Sequence, residues 1–140
     1  MLIRVWIPSI CLALLCTGVT QAQSDDPNPC GKGKTGSARG AGACFDFKLR
    51  EAERKLGILE SSYEKKILAN TRYPELVEKL FIEEAQSWRA YRNAKCAILG
   101  GMEDGEDAWR IAWALDCRVT ETDVRSKAIK KILAKNQHKP

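Results

Sequence analysis

Histidine is almost absent from this chain of 140 residues, and the one histidine, His138, stands near the C-terminal end. The cysteines include no pair in CxxC spacing, and no serine has a plausible base beside it in the sequence. Zinc centres and nucleophilic active sites are built from these residue types. The sequence therefore indicates neither an enzyme nor a metal site, and no cofactor is expected.

Alternation of apolar and polar residues over a useful length is also missing, which argues against strands. Apolar residues instead recur at steps of three and four, as on the buried face of a helix. This periodicity predicts an all-α fold, a small disulfide-tied antiparallel bundle of three to four helices over residues 44–135. The predicted helices cover about 45–69, 75–99, a stretch after residue 107, and about 122–134. Gly100 and Gly101 are expected to end the second helix in the left-handed cap conformation.

The N-terminus has the pattern of a secretory signal peptide over residues 1–22. Arg4 precedes an apolar stretch over residues 5–15, and small residues precede a cleavage site after Ala22. The stretch is too short for a stable membrane span. Cys11 and Cys16 each follow a bulky residue, which argues against a lipid anchor. We therefore expect a secreted or periplasmic protein that is soluble after cleavage.

Removal of residues 1–22 takes away Arg4, leaves 22 basic and 18 acidic side chains, and lowers the formal net charge from +5 to about +4. Four cysteines remain, an even number in an oxidising compartment, which predicts two disulfides. We favour the pairing of Cys44 with Cys96, which a helical hairpin that turns near Tyr73 would bring close together, and this leaves Cys30 for Cys117. A local scheme, Cys30 with Cys44 and Cys96 with Cys117, also stays open.

Residues 23–43 are rich in glycine and lysine and lack apolar periodicity, so they are expected to form a flexible arm before the helical domain. Residues 136–140 form a short tail. Lysines of the arm and of the last helix are interpreted as solvated, with weak contact to anionic polymers as the alternative.

One helical stripe combines three residue types that rarely share a surface. Trp88, Arg92 and Cys96 stand four residues apart and face the same side of the second predicted helix. An arginine between two core-facing residues requires a buried anion, and Glu60 or Asp116 is a suitable carboxylate. We interpret this stripe as part of the scaffold.

The best local candidate for a binding element is the acidic loop, residues 102–107, which is flanked by glycines. It contributes four carboxylates, those of Glu103, Asp104, Glu106 and Asp107. Because they precede a helix, capping of its N-terminus is the alternative interpretation. The order of these residues does not match a calcium-binding EF-hand.

The motifs together resemble those of the LprI-type lysozyme-inhibitor family, which comprises small exported bacterial helical proteins. The resemblance runs from about residue 44 to residue 125. Its structural motif is represented here by Gln86, Trp88, Arg92, Thr122 and Arg125, together with three cysteines and the Gly100–Gly101 pair. Glu60 and Asn93 stand where the family commonly has Asn and Asp.

The resemblance implies an exported protein that binds a lysozyme or another cell-wall hydrolase and occludes its cleft. The acidic loop is the expected contact, because opposite charge favours encounter with a basic lysozyme. The alternative is a non-inhibitory envelope protein that binds peptidoglycan or anionic surface polymers. The sequence gives no sign of a specific nucleic-acid partner and leaves the oligomeric state open.

Overall fold

A computed structural model describes residues 28–135 as three long helices. They are α1 (Ala38–Leu68), α2 (Pro74–Met102) and α3 (Asp107–Lys135), and the described part contains no strand. The all-α prediction is confirmed. The third and fourth predicted stretches form one continuous helix, because no glycine or proline interrupts residues 107–135. The predicted signal peptide and the tail at residues 136–140 lie outside the described residues.

The first helix begins earlier than the sequence pattern indicates. Ser37 caps α1 with its hydroxyl oxygen, which accepts a hydrogen bond from the backbone N–H of Gly40 at 3.2 Å. Residues 38–43, assigned above to the flexible arm, therefore belong to α1. The short segment before them folds back in turns, with Gly33 at a φ of 81°.

The second helix begins at a proline and ends later than expected. Pro74 occupies the first turn of α2, where its missing N–H costs nothing. The prediction that Gly100 and Gly101 end this helix in the left-handed conformation is wrong. Both lie inside α2, which continues to Met102, and neither has a positive φ.

The core is built around α3, which packs against both other helices, whereas α1 and α2 touch each other less. The most deeply buried side chains are small or of medium size, and four of them are fully buried: Leu56, Cys96, Ala112 and Thr122. Small residues let the helix axes approach closely. Two contacts between helices show which helix ends lie together. Near the end of α1, Tyr63 contacts Phe81 of α2, and Lys66 donates a hydrogen bond to Leu133 of α3.

Both disulfides are local, so the pairing preferred above is wrong and the open alternative is observed. Cys30 bonds Cys44, with the Cα atoms 4.7 Å apart, and Cys96 bonds Cys117, with the Cα atoms 5.5 Å apart. Cys96 faces α3 rather than α1, so it lies out of reach of Cys44. Cys30 is brought to α1 by the turns that precede the helix.

None of the three described helices has a stretch that is both apolar and long enough to span a bilayer. The four described cysteines are all oxidised, which fits a protein of an oxidising compartment.

Candidate functional site

The acidic loop lies at one end of the bundle, where α2 ends and α3 begins. Its four carboxylate residues are all exposed, and the side chain of Asp107 is 94% exposed. The only described partner of these carboxylates is Arg110, whose guanidinium lies 3.5 Å from Asp107. The loop therefore presents a concentrated negative charge to solvent.

The cap of α3 uses the backbone of the loop more than its side chains. The carbonyl oxygen of Glu106 accepts hydrogen bonds from the N–H groups of Trp109 and Arg110, at 2.9 and 3.2 Å. No side chain of the loop accepts a described hydrogen bond from the first turn of α3. The alternative interpretation of this cluster is that a carboxylate caps α3. Even if one carboxylate did so, at least three of the four would have no structural role.

Covalent and steric constraints hold the two helices on either side of the loop. The Cys96–Cys117 disulfide joins α2 to α3, and it lies six residues before the end of α2 and ten residues after the start of α3. Gly100 permits close approach of the helices, since a Cβ there would lie 2.6 Å from the carbonyl oxygen of Arg110. This contact, rather than a helix cap, explains the glycine.

The loop itself rests on an aromatic pair. Trp109 and Trp113 stack with ring centroids 5.8 Å apart, and the Trp113 ring lies against Gly105. Gly105 adopts a φ of 131°, a conformation that other residues rarely adopt. The packed rings of Trp109 and Trp113 therefore support the conformation of the loop.

Apolar side chains flank the carboxylates. Met102, Ile98 and Ile111 are 75%, 65% and 61% exposed, so α2 and α3 carry uncovered apolar surface next to the negative loop. Exposed apolar surface with a polar rim is typical of protein interfaces. The end of the bundle thus combines charge with apolar area.

Four of the five motif residues, Trp88, Arg92, Thr122 and Arg125, lie together in a second site in the middle of the bundle, which we call the Trp88 cluster. Three guanidinium groups lie over the Trp88 ring, with their central carbons 4.6 Å (Arg125), 5.0 Å (Arg92) and 5.8 Å (Arg89) from the ring centroid. Such cation–π contacts are strongest where water is excluded.

Arg92 is the most buried of the three, with 5% of its surface exposed. It donates to the carboxylate of Glu53 on α1 and, at 2.7 Å, to the hydroxyl of Thr122 on α3. The carboxylate proposed for it was wrong: Glu60 pairs with Arg89 and Arg125 instead, and Asp116 is exposed. Arg92 thus ties all three helices together.

Arg125 connects α3 to the two other helices. It donates to Glu60 at 2.9 Å and makes two parallel hydrogen bonds to Glu84, at 2.7 and 2.6 Å. The hydrogen bond from Arg125 holds the pKa of Glu84 below its ordinary value. Because its charges are mutually satisfied, the cluster offers no unpaired group for a reaction, and removal of any one member would leave a partly buried charge without its partner.

Gln86 differs from the other motif residues because it is exposed and makes no described side-chain hydrogen bond. The sequence analysis missed Glu53, Arg89 and Glu84 as members of the cluster. The detectable signal was the spacing: Glu53 and Glu60 are seven residues apart on one face of α1, and Arg89 lies one turn from Arg92. Among the described residues, no group of three or more His, Cys, Asp or Glu side chains is arranged to hold a metal ion.

Comparison with known proteins gives one match. The family model described as "Lysozyme inhibitor LprI" matches residues 30–129, which include both disulfides, the Trp88 cluster and the acidic loop. No curated protein matches the chain, and no solved structure matches it.

Proposed function

The chain belongs to the LprI lysozyme-inhibitor family, and from this premise we propose that it binds a lysozyme-type cell-wall hydrolase and occludes its glycan-binding cleft. The contact is the acidic loop, with Glu103, Asp104, Glu106 and Asp107 directed at the basic surface of the hydrolase. One observation carries this proposal: the four carboxylates are exposed on a loop that a disulfide and packed rings hold in place.

Electrostatic attraction accounts for the first step of binding. A positively charged hydrolase is steered toward a local concentration of negative charge, and this raises the association rate. The net positive charge of the chain opposes this attraction only at long range. At physiological salt the Debye length is about 8 Å, so the nearby loop dominates once the surfaces approach.

Rigidity accounts for the affinity after encounter. A loop that is ordered before binding loses little conformational entropy on forming the complex. Cys96–Cys117 and the contact at Gly100 supply this order. The exposed apolar side chains of Ile98, Met102 and Ile111 then bury area around the charged centre. No catalytic group is required, in keeping with a family of inhibitors.

The proposed setting is the extracytoplasmic space, where the predicted signal peptide would deliver the protein and where both disulfides are stable. We also propose that the three helices form an antiparallel bundle in the up-down-up sense. The pairs Glu84–Arg125, Arg92–Thr122 and Cys96–Cys117 run in opposite order along α2 and α3, which supports this arrangement.

An inhibition assay with charge variants tests the role of the loop. The oxidised mature protein, residues 23–140, is compared with a variant in which all four loop carboxylates are changed to their amides. The matched control neutralises four other exposed carboxylates far from the loop, those of Glu75, Glu78, Glu83 and Asp123. Both variants gain the same net charge.

We expect the loop variant to lose inhibition of a basic lysozyme by at least about tenfold, and the control variant to inhibit nearly as well as the wild type. Equal inhibition by the loop variant and the wild type would show that the loop is not the contact. An equal loss in both variants would assign the effect to net charge rather than to a site.

The exposed lysines of α3 favour one other function, a non-inhibitory association with anionic envelope polymers. Lys127, Lys130, Lys131 and Lys135 are all exposed on the second half of this helix. This function predicts retention on cell-wall material that falls steeply with added salt, together with no inhibition of any muramidase. Inhibition of a hydrolase other than lysozyme would change only the target.

A further inference from the structure

An apolar groove lies at the end of the bundle opposite the acidic loop, between the last turns of α1, the first turns of α2 and the last turns of α3. Its inner lobe has a volume of about 390 Å³ and its outer lobe about 610 Å³. The two lobes form one continuous groove because they share four lining residues: Tyr63, Ile67, Val77 and Ile132. Sites for small molecules commonly have volumes of about 300–1,000 Å³.

The walls of the inner lobe are mainly aliphatic and aromatic, and part of them is open to solvent, whereas the outer lobe also has polar walls, formed by Lys66, Asn70 and Thr71. Leu80 is 53% exposed and Ile132 is 38% exposed. Tyr63 and Phe81 meet edge to face, with centroids 6.0 Å apart, and form the inner wall. Leaving such surface uncovered costs free energy, so the groove is suited to an apolar occupant.

The two short segments that flank the described residues in the expected mature protein are polar. After removal of the predicted signal peptide, the segments outside the described residues are 23–27 (Gln-Ser-Asp-Asp-Pro) and 136–140 (Asn-Gln-His-Lys-Pro). Neither contains Val, Leu, Ile, Met or Phe. Neither of these two segments is therefore suited to cover the groove.

The charges at the two ends of the groove differ. At the outer end, the ammonium group of Lys66 donates one hydrogen bond to the carbonyl oxygen of Leu133, at 3.1 Å, which fixes its position. An ammonium group has three donors, so two remain for a ligand. At the inner end, Arg125 is occupied by Glu60 and Glu84, and the Glu84 carboxylate would repel an anion. An anionic head group thus fits at Lys66 and not at the inner end.

We propose that this groove binds a fatty acid with an alkyl chain of about twelve carbons, with the alkyl chain along Ile67, Val77 and Leu80 and the carboxylate at Lys66. The apolar walls and the single cationic end match the two parts of this ligand. The proposal does not depend on inhibition of a hydrolase, because the groove and the acidic loop lie at opposite ends of the bundle.

Titration calorimetry with dodecanoate, below its micellar concentration, tests the proposal on the delipidated mature protein. We expect saturable binding with one ligand per chain. Leu80→Asp should weaken binding at least tenfold, whereas Ile58→Asp should leave it unchanged. The two positions are a matched pair, since Ile58 is 58% exposed on α1 and does not line the groove.

The variant Lys66→Gln tests the contribution of the ligand's head group to binding separately from that of its alkyl chain. It should weaken dodecanoate binding severalfold and leave binding of the uncharged 1-dodecanol unchanged. Absence of saturable binding would overturn the proposal, and so would equal weakening by Leu80→Asp and Ile58→Asp. Sedimentation that shows a dimer dispersed by Leu80→Asp would assign the groove to a second copy of the chain and also overturn it.

Discussion

The hydroxyl of Thr122 makes two hydrogen bonds, one of them buried, and its removal tests whether the Trp88 cluster is a structural element. It accepts from Arg92 at 2.7 Å and donates to the carbonyl oxygen of Arg118 at 2.7 Å, and the residue is fully buried. Thr122→Val keeps the shape and deletes both bonds. The bond from the charged Arg92 contributes about 1.5–3 kcal/mol. Loss of the second bond adds little, because the carbonyl oxygen of Arg118 keeps its intrahelical partner, the N–H of residue 122.

We therefore expect Thr122→Val to lower the free energy of unfolding by about 1.5–3 kcal/mol. For a domain of about this size, each kcal/mol lowers Tm by about 4 °C, so Tm should fall by about 6–12 °C. Thr122→Ser keeps the hydroxyl and loses one methyl group, which costs about 1 kcal/mol. The order of stability should be wild type, then Ser, then Val.

Urea denaturation followed by circular dichroism measures these differences, and lysozyme inhibition at a temperature where all three proteins are folded serves as the functional control. Inhibition should be unchanged, because Thr122 lies in the core and not on the loop. A Val variant as stable as the wild type, or more stable than the Ser variant, would refute the structural role assigned to the cluster.

Three other predictions follow from the same contacts. Gly100→Ala should destabilise the protein by about 1–3 kcal/mol, because its Cβ would meet the backbone of α3. Gly101→Ala should stabilise the protein by about 0.5–1 kcal/mol, since its Cβ would meet nothing. Thermal unfolding of the two variants distinguishes these outcomes. The lowered pKa of Glu84 means that its ion pair with Arg125 stabilises the fold above about pH 4.3, and that this contribution is lost as the pH falls through the folded-state pKa. The difference in unfolding free energy between the wild type and Glu84→Gln should therefore shrink in acid. A difference that stays constant with pH would contradict the assignment. Replacing both cysteines of Cys96–Cys117 by serine should cost about 3 kcal/mol by the chain-entropy estimate, and non-reducing peptide mapping of the wild type should recover these two cysteines in one fragment.

Much of the fold was accessible from the sequence because long helices leave a strong periodic signal. The apolar spacing of α1 and α2 predicted both helices, with Asn70 and Pro74 marking the turn between them. The start of α1 was missed because Ala38 to Ala43 carry small residues that give no apolar period. Ser37, which caps the helix, was the available signal.

The disulfide pairing could not be derived because it depends on which face each helix turns toward its neighbours. The helical hairpin of α1 and α2 made Cys44 and Cys96 plausible partners by position along the axis. In the structure, Cys96 faces α3, and the contacts between α1 and α2 include the ion pairs of Glu53 with Arg89 and Arg92. Rotation of a helix about its own axis is set by packing, which a single sequence does not specify.

The Trp88 cluster was recognised in part. The prediction that Arg92 is buried and paired with a carboxylate is confirmed, but the carboxylate is that of Glu53. The three arginines share three carboxylates, so the correct assignment requires the relative heights of α1, α2 and α3. The acidic loop was visible directly in the composition, whereas its support by Trp113 and Gly105 is a property of the folded chain.

Competition by a glycan is the most direct test of cleft occlusion. The dissociation constant of the mature protein for a basic lysozyme is measured with and without a saturating chito-oligosaccharide in the cleft. We predict that the apparent dissociation constant rises linearly with the concentration of free saccharide, by a factor of one plus the ratio of that concentration to the Kd of the saccharide, because both ligands require the same site. An unchanged dissociation constant would show that the protein binds away from the cleft and would contradict the account.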